Sequence, residues 1–155
     1  MSKPLKIAVV GATGLVGREM VSILEERGFP AAELIPLASE RSEGEKVTFQ
    51  GEELTVHRTT PESFKGVELV LMSAGGKVSA EIAPAAARAG AVVIDNSSQW
   101  RMDDAVPLVV PEVNAADIAG YKSRGIIANP NCSTIQMVVA LAPIHKKVGI
   151  KRLNF

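Results

Sequence analysis

The chain has 155 residues, of which 46% are apolar and 22% charged, and its 17 basic residues balance its 17 acidic ones. This length suits one domain, and the zero net charge argues against a nucleic-acid-binding protein, whose affinity depends on neutralising phosphates. A single cysteine excludes an internal disulfide, and neither a signal-peptide core nor a membrane-spanning run is apparent. We therefore expect one soluble, cytoplasmic domain over residues 1–155, with no nucleic-acid or membrane partner.

Short β-branched runs alternate with longer helical stretches, which predicts βαβ units and a parallel sheet covered on both faces. The first half of the chain predicts a buried strand, an amphipathic helix that ends at a glycine, a second strand and a hairpin. The ranges are Leu5–Val10 and Leu34–Ser39 for the strands, the segment between Gly14 and Gly28 for the helix, and Val47–Phe49 with Leu54–His57 for the hairpin.

The second half predicts three more strands, an alanine-rich helix that ends near Ala89 and a long helix that begins near Cys132. Pro84 should kink the alanine-rich helix or mark its start. The strands are Glu68–Ser73, Ala91–Asp95 and Gly125–Ala128, a short extended piece covers Leu108–Val110, and the long helix has Ile135, Val138, Val139 and Ala142 on one face. These elements predict a Rossmann-like, doubly wound α/β fold, in which ligands bind at the carboxyl ends of the strands.

A glycine-rich loop, Gly11–Gly17 (GATGLVG), joins the first strand to the first helix. Glycine permits a tight turn and a close backbone approach, and the free N–H groups of a helix start attract a phosphate. The spacing, G-x-x-G-x-x-G, is a variant of the usual G-x-G-x-x-G. A glycine-rich turn without a ligand is the alternative, but the strand–loop–helix context favours dinucleotide binding.

The end of the second strand, Ala38–Ser42 (ASERS), bears on which dinucleotide is bound. An NAD site would place an acidic residue here for the ribose 2′-hydroxyl. Ser39, Arg41 and Ser42 instead offer a cradle for a 2′-phosphate, with which arginine pairs bidentately. Glu40 could serve a hydroxyl if Arg41 points to solvent, and a solvated loop without a ligand is a further alternative. We predict NADP as the cofactor.

The one cysteine, Cys132, lies in the first turn of the long helix, after an asparagine that suits the N-cap, Asn131. The N–H groups of a helix start favour the thiolate, which is the nucleophilic form of cysteine. The alternative is a small buried apolar residue that shares a helical face with Ile135. The residues alone leave both interpretations open, and the N-cap favours the nucleophile.

A nucleophilic cysteine needs a base, and neither histidine of the chain is well placed to act as one. His145 lies 13 residues further along the same helix, which is about 20 Å at 1.5 Å per residue. His57 belongs to the predicted hairpin, so a base would have to come from residues after Phe155. One cysteine and two scattered histidines do not make a zinc site, and no metal is predicted.

Six segments of the chain form a specific combination. They are IAVVGATGLVG at Ile7–Gly17, ASERS at Ala38–Ser42, SAGG at Ser73–Gly76, DNSSQWRMD at Asp95–Asp103, VVPEVN at Val109–Asn114 and NPNCSTIQ at Asn129–Gln136. This combination resembles aspartate-semialdehyde dehydrogenase, over essentially the whole chain and as the N-terminal part of a family whose members are about twice as long. The final residues, 149–155, also look like the start of a strand that has no partner, although a frayed tail is an alternative.

The resemblance implies an NADP-dependent oxidoreductase that converts aspartate semialdehyde and phosphate to aspartyl phosphate, reversibly, in lysine, threonine and methionine biosynthesis. Cys132 would form the acyl-thioester, Asn131 would help to orient the substrate carbonyl, and Arg101 would bind phosphate or the phosphoryl group. The cofactor residues would be Gly11, Thr13, Gly14, Leu15 and Val16 at the pyrophosphate, Ser39, Arg41 and Ser42 at the 2′-phosphate, and Ser73, Ala74 and Gly75 at the ribose and nicotinamide end.

In the family, the general-base histidine, the arginine that binds the substrate carboxylate and most dimer contacts belong to a second domain, which these 155 residues lack. We therefore expect the cofactor-binding portion of a homodimeric or homotetrameric parent, inactive by itself. Two alternatives remain. One is an enzyme like N-acetyl-glutamyl-phosphate reductase, whose cysteine context differs from NPNCST. The other is a non-catalytic dinucleotide-sensing module, in which Cys132 would be structural.

Overall fold

A computed structural model describes residues 3–154, and a six-stranded parallel sheet organises this part of the chain. The strands in chain order are β1 (Leu5–Val10), β2 (Ala31–Ala38), β3 (Lys46–Phe49), β4 (Glu52–Thr55), β5 (His57–Arg58), β6 (Leu69–Met72), β7 (Val92–Asp95) and β8 (Ile126–Ala128). β3 and β4 form a separate antiparallel hairpin, and the other six strands pair in the order β5-β2-β1-β6-β7-β8.

The strand order reverses at β1, because β2 and β5 lie on one side of it and β6, β7 and β8 on the other. This is the doubly wound topology, so the predicted Rossmann-like fold is confirmed. Among residues 3–154, four α-helices connect or flank the strands. They are α1 (Leu15–Glu26), α2 (Gly76–Arg88), α3 (Pro111–Asn114) and α4 (Cys132–Val148).

Two apolar cores cover the two faces of the sheet, and alternate residues of β1 contribute to each. Ile7 and Val9 pack with the buried side chains of α1 and of the hairpin. Ala8 and Val10 pack with the buried side chains of α2. Successive side chains of a strand point to opposite faces, so a strand buried on both sides reads as a continuous apolar run. This is why β1 is predictable from the sequence.

The structure corrects the predicted boundaries around β2 and the hairpin. β2 begins at Ala31 rather than at Leu34 and ends at Ala38. The second hairpin strand ends at Thr55, and His57 belongs to β5, which pairs with β2 in the main sheet. The apolar alternation continues through the buried Val56, so the sequence carries no mark of the break between β4 and β5.

Pro84 does not mark the start of α2, because α2 runs from Gly76 to Arg88 with Pro84 inside it; the kink at Pro84 stays a prediction. Proline removes the hydrogen bond to the carbonyl four residues earlier. That residue, Ala80, is exposed, so water can satisfy the carbonyl that loses its partner.

The region before β8 and the end of the chain also differ from the prediction. Leu108 makes only one isolated parallel bridge to Ala128, and residues 111–123 form α3 and an unpredicted 3₁₀ helix. Residues 151–154 belong to no strand, so the additional strand expected at 149–155 is not found in the described part of the chain; Phe155 lies outside it.

The predicted apolar face of α4 is only partly covered. Ile135, Val138 and Ala142 are half-buried, while Val139 is exposed. Within residues 3–154, no helix has the length and apolar character needed to cross a membrane.

Gly17 provides a test of the packing of α1 on the glycine loop. A Cβ atom at Gly17 would overlap the carbonyl group of Gly11 and lie 2.9 Å from Ala12 Cα, both of them backbone atoms. We predict that Gly17→Ala lowers the free energy of unfolding by about 1–3 kcal/mol, as overpacking does. Urea denaturation measures this change.

The matched control is Gly76→Ala, at the first residue of α2, where the nearest atom to an added Cβ is the Gln99 side-chain oxygen at 3.8 Å. This variant should stay within about 0.5 kcal/mol of the unmutated chain. Equal losses in the two variants would contradict the close packing at Gly17.

Candidate functional site

A cleft of about 640 Å³ opens at the carboxyl ends of β1, β2 and β6. The glycine loop, the segment after β2, the segment after β6 and part of α2 form its walls. Among the predicted cofactor residues, those that line the cleft are Gly11, Thr13, Gly14, Ser39, Arg41, Ser42, Ser73 and Ala74. Leu15, Val16 and Gly75 are not part of this lining and lie beside it, at the starts of α1 and α2.

Backbone contacts of the glycine loop hold three strand ends together. Gly11 has a φ of +84°, and a Cβ there would lie 2.9 Å from the carbonyl carbon of Ser73, so this position requires glycine. The backbone N–H groups of Gly11 and Ala12 both donate to Leu37 O, at 2.8 and 3.0 Å. The loop after β1 is thereby tied to the ends of both β6 and β2.

The start of α1 lies beside the cleft and carries backbone N–H groups that the helix itself does not pair. Its N-cap is Gly14, whose carbonyl accepts from Arg18 N at 2.9 Å. Helix geometry leaves the N–H groups of the preceding residues, Leu15 to Gly17, without an acceptor in the helix. Together with the positive end of the helix dipole, these donors can bind an anion such as a pyrophosphate.

The segment after β2 forms a short 3₁₀ helix, Glu40–Ser42, which carries hydroxyl and charged groups at the cleft. Ser42 Oγ lies 3.4 Å from Thr13 Oγ1, which links this segment to the glycine loop. Arg41 is exposed. The Glu40 carboxylate pairs with the Arg58 guanidinium at 3.3 Å.

Part of the cleft lining is not predicted from the sequence. It consists of residues 58–61 and of three side chains of α2, Val78, Glu81 and Ile82. β5 has only two residues and shows no periodicity. The segment after β5 does carry a recognisable sequence pattern, because Thr60-Pro61-Glu62-Ser63 is a typical helix-start sequence. In the structure, Thr60 N donates to Ser63 Oγ at 3.0 Å.

Cys132 is exposed at the first residue of α4, at the carboxyl end of β8. Its exposure contradicts the alternative of a small buried apolar residue. The predicted N-cap is confirmed, since Asn131 Oδ1 accepts from Ser133 N at 3.0 Å and from Thr134 N at 3.4 Å. The amide oxygen of Asn131 is occupied in this way, and its Nδ2 remains a donor for a ligand.

Arg101 bridges the segments that follow β7 and β8, and one of its partners, Asn129, lies three residues before Cys132. Its Nε donates to Asn129 O at 3.0 Å and its Nη2 to Asn96 O at 3.1 Å, while Asn129 Nδ2 donates to Asn96 Oδ1 at 2.7 Å. The guanidinium group is thus fixed by two backbone carbonyls. Its remaining N–H donors can bind an anion.

A fully buried carboxylate, Asp95, holds the loop that carries Arg101. It accepts hydrogen bonds from Ser79 Oγ, from Ser97 N at 2.7 Å and from Ser97 Oγ at 2.8 Å. Trp100 Nε1 in turn donates to Ser79 Oγ at 2.8 Å. Buried polar groups that are satisfied in this way rigidify the backbone around them.

Neither histidine reaches Cys132. His57 lies in β5, at the opposite edge of the sheet from β8, and five strand spacings of ~4.8 Å separate the two edges by about 24 Å. His145 lies 13 residues along α4, about 20 Å away. The structure therefore confirms that no histidine among residues 3–154 can serve Cys132 as a base.

Most of the chain matches one known protein family. A family model described as semialdehyde dehydrogenase, NAD binding domain, matches residues 6–121. The chain belongs to the semialdehyde dehydrogenase family. The matched domain is a NAD-binding domain, which supports a nicotinamide dinucleotide as the class of cofactor.

Relatives of the chain within this family are aspartate-semialdehyde dehydrogenases, which confirms the resemblance. The enzyme of Aquifex aeolicus is 62% identical over 149 residues, covering 96% of this chain and 44% of that protein. The crystal structure of the Vibrio cholerae enzyme II complexed with ASA matches with a TM-score of 0.94 at 53% identity, covering 97% of this chain and 49% of that one. The chain thus spans less than half the length of these relatives.

A more distant structure was determined with NADP. The Candida albicans aspartate semialdehyde dehydrogenase with NADP matches with a TM-score of 0.74 at 28% identity, covering 94% of this chain and 48% of that one. The fold that surrounds the cleft is therefore shared with a family member whose structure was determined together with NADP.

Ser79 provides a test of the buried network. Ser79→Ala removes the hydroxyl that donates to Asp95 and accepts from Trp100 Nε1. Each of these two buried groups therefore loses one hydrogen bond. We predict a loss of about 1–3 kcal/mol in the free energy of unfolding, the cost of an unsatisfied buried polar group. The fluorescence of Trp100, the one tryptophan of the chain, monitors unfolding in urea.

The control is Ser22→Ala on the exposed side of α1, which should change the stability by less than about 0.5 kcal/mol. If Ser79→Ala behaves like Ser22→Ala, the network does not stabilise the loop.

Proposed function

We propose that the chain is the NADP-binding, cysteine-bearing domain of an aspartate-semialdehyde dehydrogenase, spanning residues 1–155. One observation carries this proposal. The dinucleotide cleft at the ends of β1, β2 and β6 and the exposed Cys132 at the end of β8 share the carboxyl edge of one sheet. A bound cofactor and a reacting thiol can therefore meet there.

The residues of the cleft fit a phosphorylated dinucleotide. The N–H groups of Leu15 and Val16, with Gly11, Thr13 and Gly14, suit a pyrophosphate at the start of α1. The hydroxyls of Ser39 and Ser42 and the Arg41 guanidinium suit a 2′-phosphate. Ser73, Ala74 and Gly75 follow β6, the strand between β1 and β7, and are proposed for the ribose and nicotinamide end.

The proposed reaction begins at Cys132. Its thiolate sulfur forms a bond to the aldehyde carbon, and Asn131 Nδ2 donates to the oxygen on which negative charge develops. Bound NADP supplies the hydride acceptor that oxidation of this carbon to a thioester requires. Arg101 holds inorganic phosphate through its remaining N–H donors, and a phosphate oxygen attacks the thioester carbon. The C–S bond breaks, and acyl phosphate and the Cys132 thiolate are released.

The base for this reaction is proposed to come from residues outside 1–155. Neither histidine is within reach of Cys132, and the relatives are about twice as long as this chain. We assign the substrate carboxylate to the same outside part, because the described residues near Cys132 offer one arginine, Arg101, and the phosphate requires it.

The cofactor assignment predicts a preference for NADP over NAD. Arg41→Ala should lower NADP affinity about tenfold or more while NAD affinity stays nearly unchanged, because a charge-assisted hydrogen bond is worth about 1.5–3 kcal/mol. Isothermal titration of the 155-residue chain with each dinucleotide measures this. Arg27→Ala, an exposed arginine at the end of α1, is the control and should leave both affinities unchanged. Equal affinities for NAD and NADP in the unmutated chain would contradict the assignment.

The missing base predicts a large deficit in turnover for the 155-residue chain. With aspartate semialdehyde, phosphate and NADP, its steady-state rate should fall at least ~100-fold below that of a full-length relative, since a positioned base is worth ~10²–10⁴-fold. Cys132→Ser defines the background rate. A rate equal to the full-length enzyme's and abolished by Cys132→Ser would show that the chain already contains its base.

A further inference from the structure

The ion pair between Glu40 and Arg58 lies in the wall of the cleft, beside the segment proposed for the 2′-phosphate. Glu40 Oε2 and Arg58 Nη1 are 3.3 Å apart, and both residues line the cleft. Their side chains are 73% and 54% exposed, respectively, so a ligand can reach both. The proposed function assigns no role to either residue.

The backbone position of Arg58 is set by β2. Arg58 pairs with Ala38 in the parallel register of β5 and β2. The next residue, Thr59, donates to Ala38 O through both its N–H, at 2.8 Å, and its hydroxyl, at 3.0 Å. The Cα of Arg58 therefore stays beside the end of β2, where Rossmann-like folds read the ribose 2′ position.

The two charges of this pair have opposite effects on the choice of dinucleotide. A free Glu40 carboxylate, two residues after β2, would accept a hydrogen bond from the 2′-hydroxyl of NAD and would repel a 2′-phosphate. Arg58 neutralises that carboxylate with one terminal nitrogen. Arginine carries further donors in a planar fork that suits a phosphate, so it can hold the carboxylate and a phosphate at the same time.

We propose that Arg58 determines the dinucleotide specificity of this cleft. It binds the 2′-phosphate as a second cation beside Arg41, and it keeps the Glu40 carboxylate paired and unavailable to a 2′-hydroxyl. This proposal rests on the proposed dinucleotide-binding function and adds to it a residue on a different strand. Loss of Arg41 removes one cation, whereas loss of Arg58 removes a cation and also frees an opposing charge.

The test is titration of the 155-residue chain with NADP and with NAD, using Arg58→Gln, Glu40→Gln and the double variant. Arg58→Gln should lower NADP affinity about tenfold or more and leave NAD affinity unchanged or higher. Glu40→Gln should leave NADP affinity unchanged or higher. Arg27→Gln, an exposed arginine outside the cleft, should change neither affinity. Circular dichroism and the urea midpoint establish that each variant is folded.

The double variant separates direct binding from neutralisation of Glu40. Arg58→Gln in the Glu40→Gln background should still lower NADP affinity several-fold, because the phosphate loses its second cation. No loss in that background would overturn the direct contact, and no loss in either background would overturn the proposal as a whole.

Failure of this inference is distinguishable from failure of the proposed function. An unmutated chain that prefers NADP and keeps its preference in Arg58→Gln overturns the role of Arg58 alone. An unmutated chain that binds NAD and NADP equally, or binds neither, overturns the NADP assignment and the role of Arg58 with it.

Discussion

The candidate site depends on the close backbone contacts of the glycine loop. Gly11 lies against the carbonyl of Ser73 and donates to Leu37, and Gly17 packs on the carbonyl of Gly11. Side chains at either glycine would push apart the ends of β1, β2 and β6 or move the start of α1. The same contacts therefore position the N–H groups of α1, the segment after β2 and the segment after β6 around one cleft.

A different kind of constraint organises the β7–β8 side of the sheet. There, polar contacts replace backbone packing, since the buried Asp95 is satisfied by two serines and Trp100 completes the network. This network holds the loop after β7, and Arg101 then joins that loop to the end of β8 through two carbonyl groups. The exposed Cys132 begins the next helix, three residues after the Asn129 carbonyl that Arg101 holds.

The extent to which the sequence predicts this arrangement depends on how local each feature is. β1 is bounded by glycine and buried on both faces, and the glycine loop lies between a strand and a helix, so local patterns reveal both. Arg58 lies in a two-residue strand that only its pairing with Ala38 defines. The hydrogen bond between Ser79 and Asp95 joins residues 16 positions apart on separate elements, and no periodicity reveals it. The exposure of Cys132 also depends on tertiary packing, which explains why the residues left two interpretations open.

The most direct test of this account is a crystal structure of the 155-residue chain with NADP bound. We expect the pyrophosphate within hydrogen-bond distance of the N–H groups of Leu15 and Val16, and the 2′-phosphate between Arg41 and Arg58. The nicotinamide ring should lie beyond Ser73, on the side of β1 towards β8 and Cys132. A dinucleotide bound outside the cleft, or one whose nicotinamide ring lies at the β2 end, would contradict this arrangement.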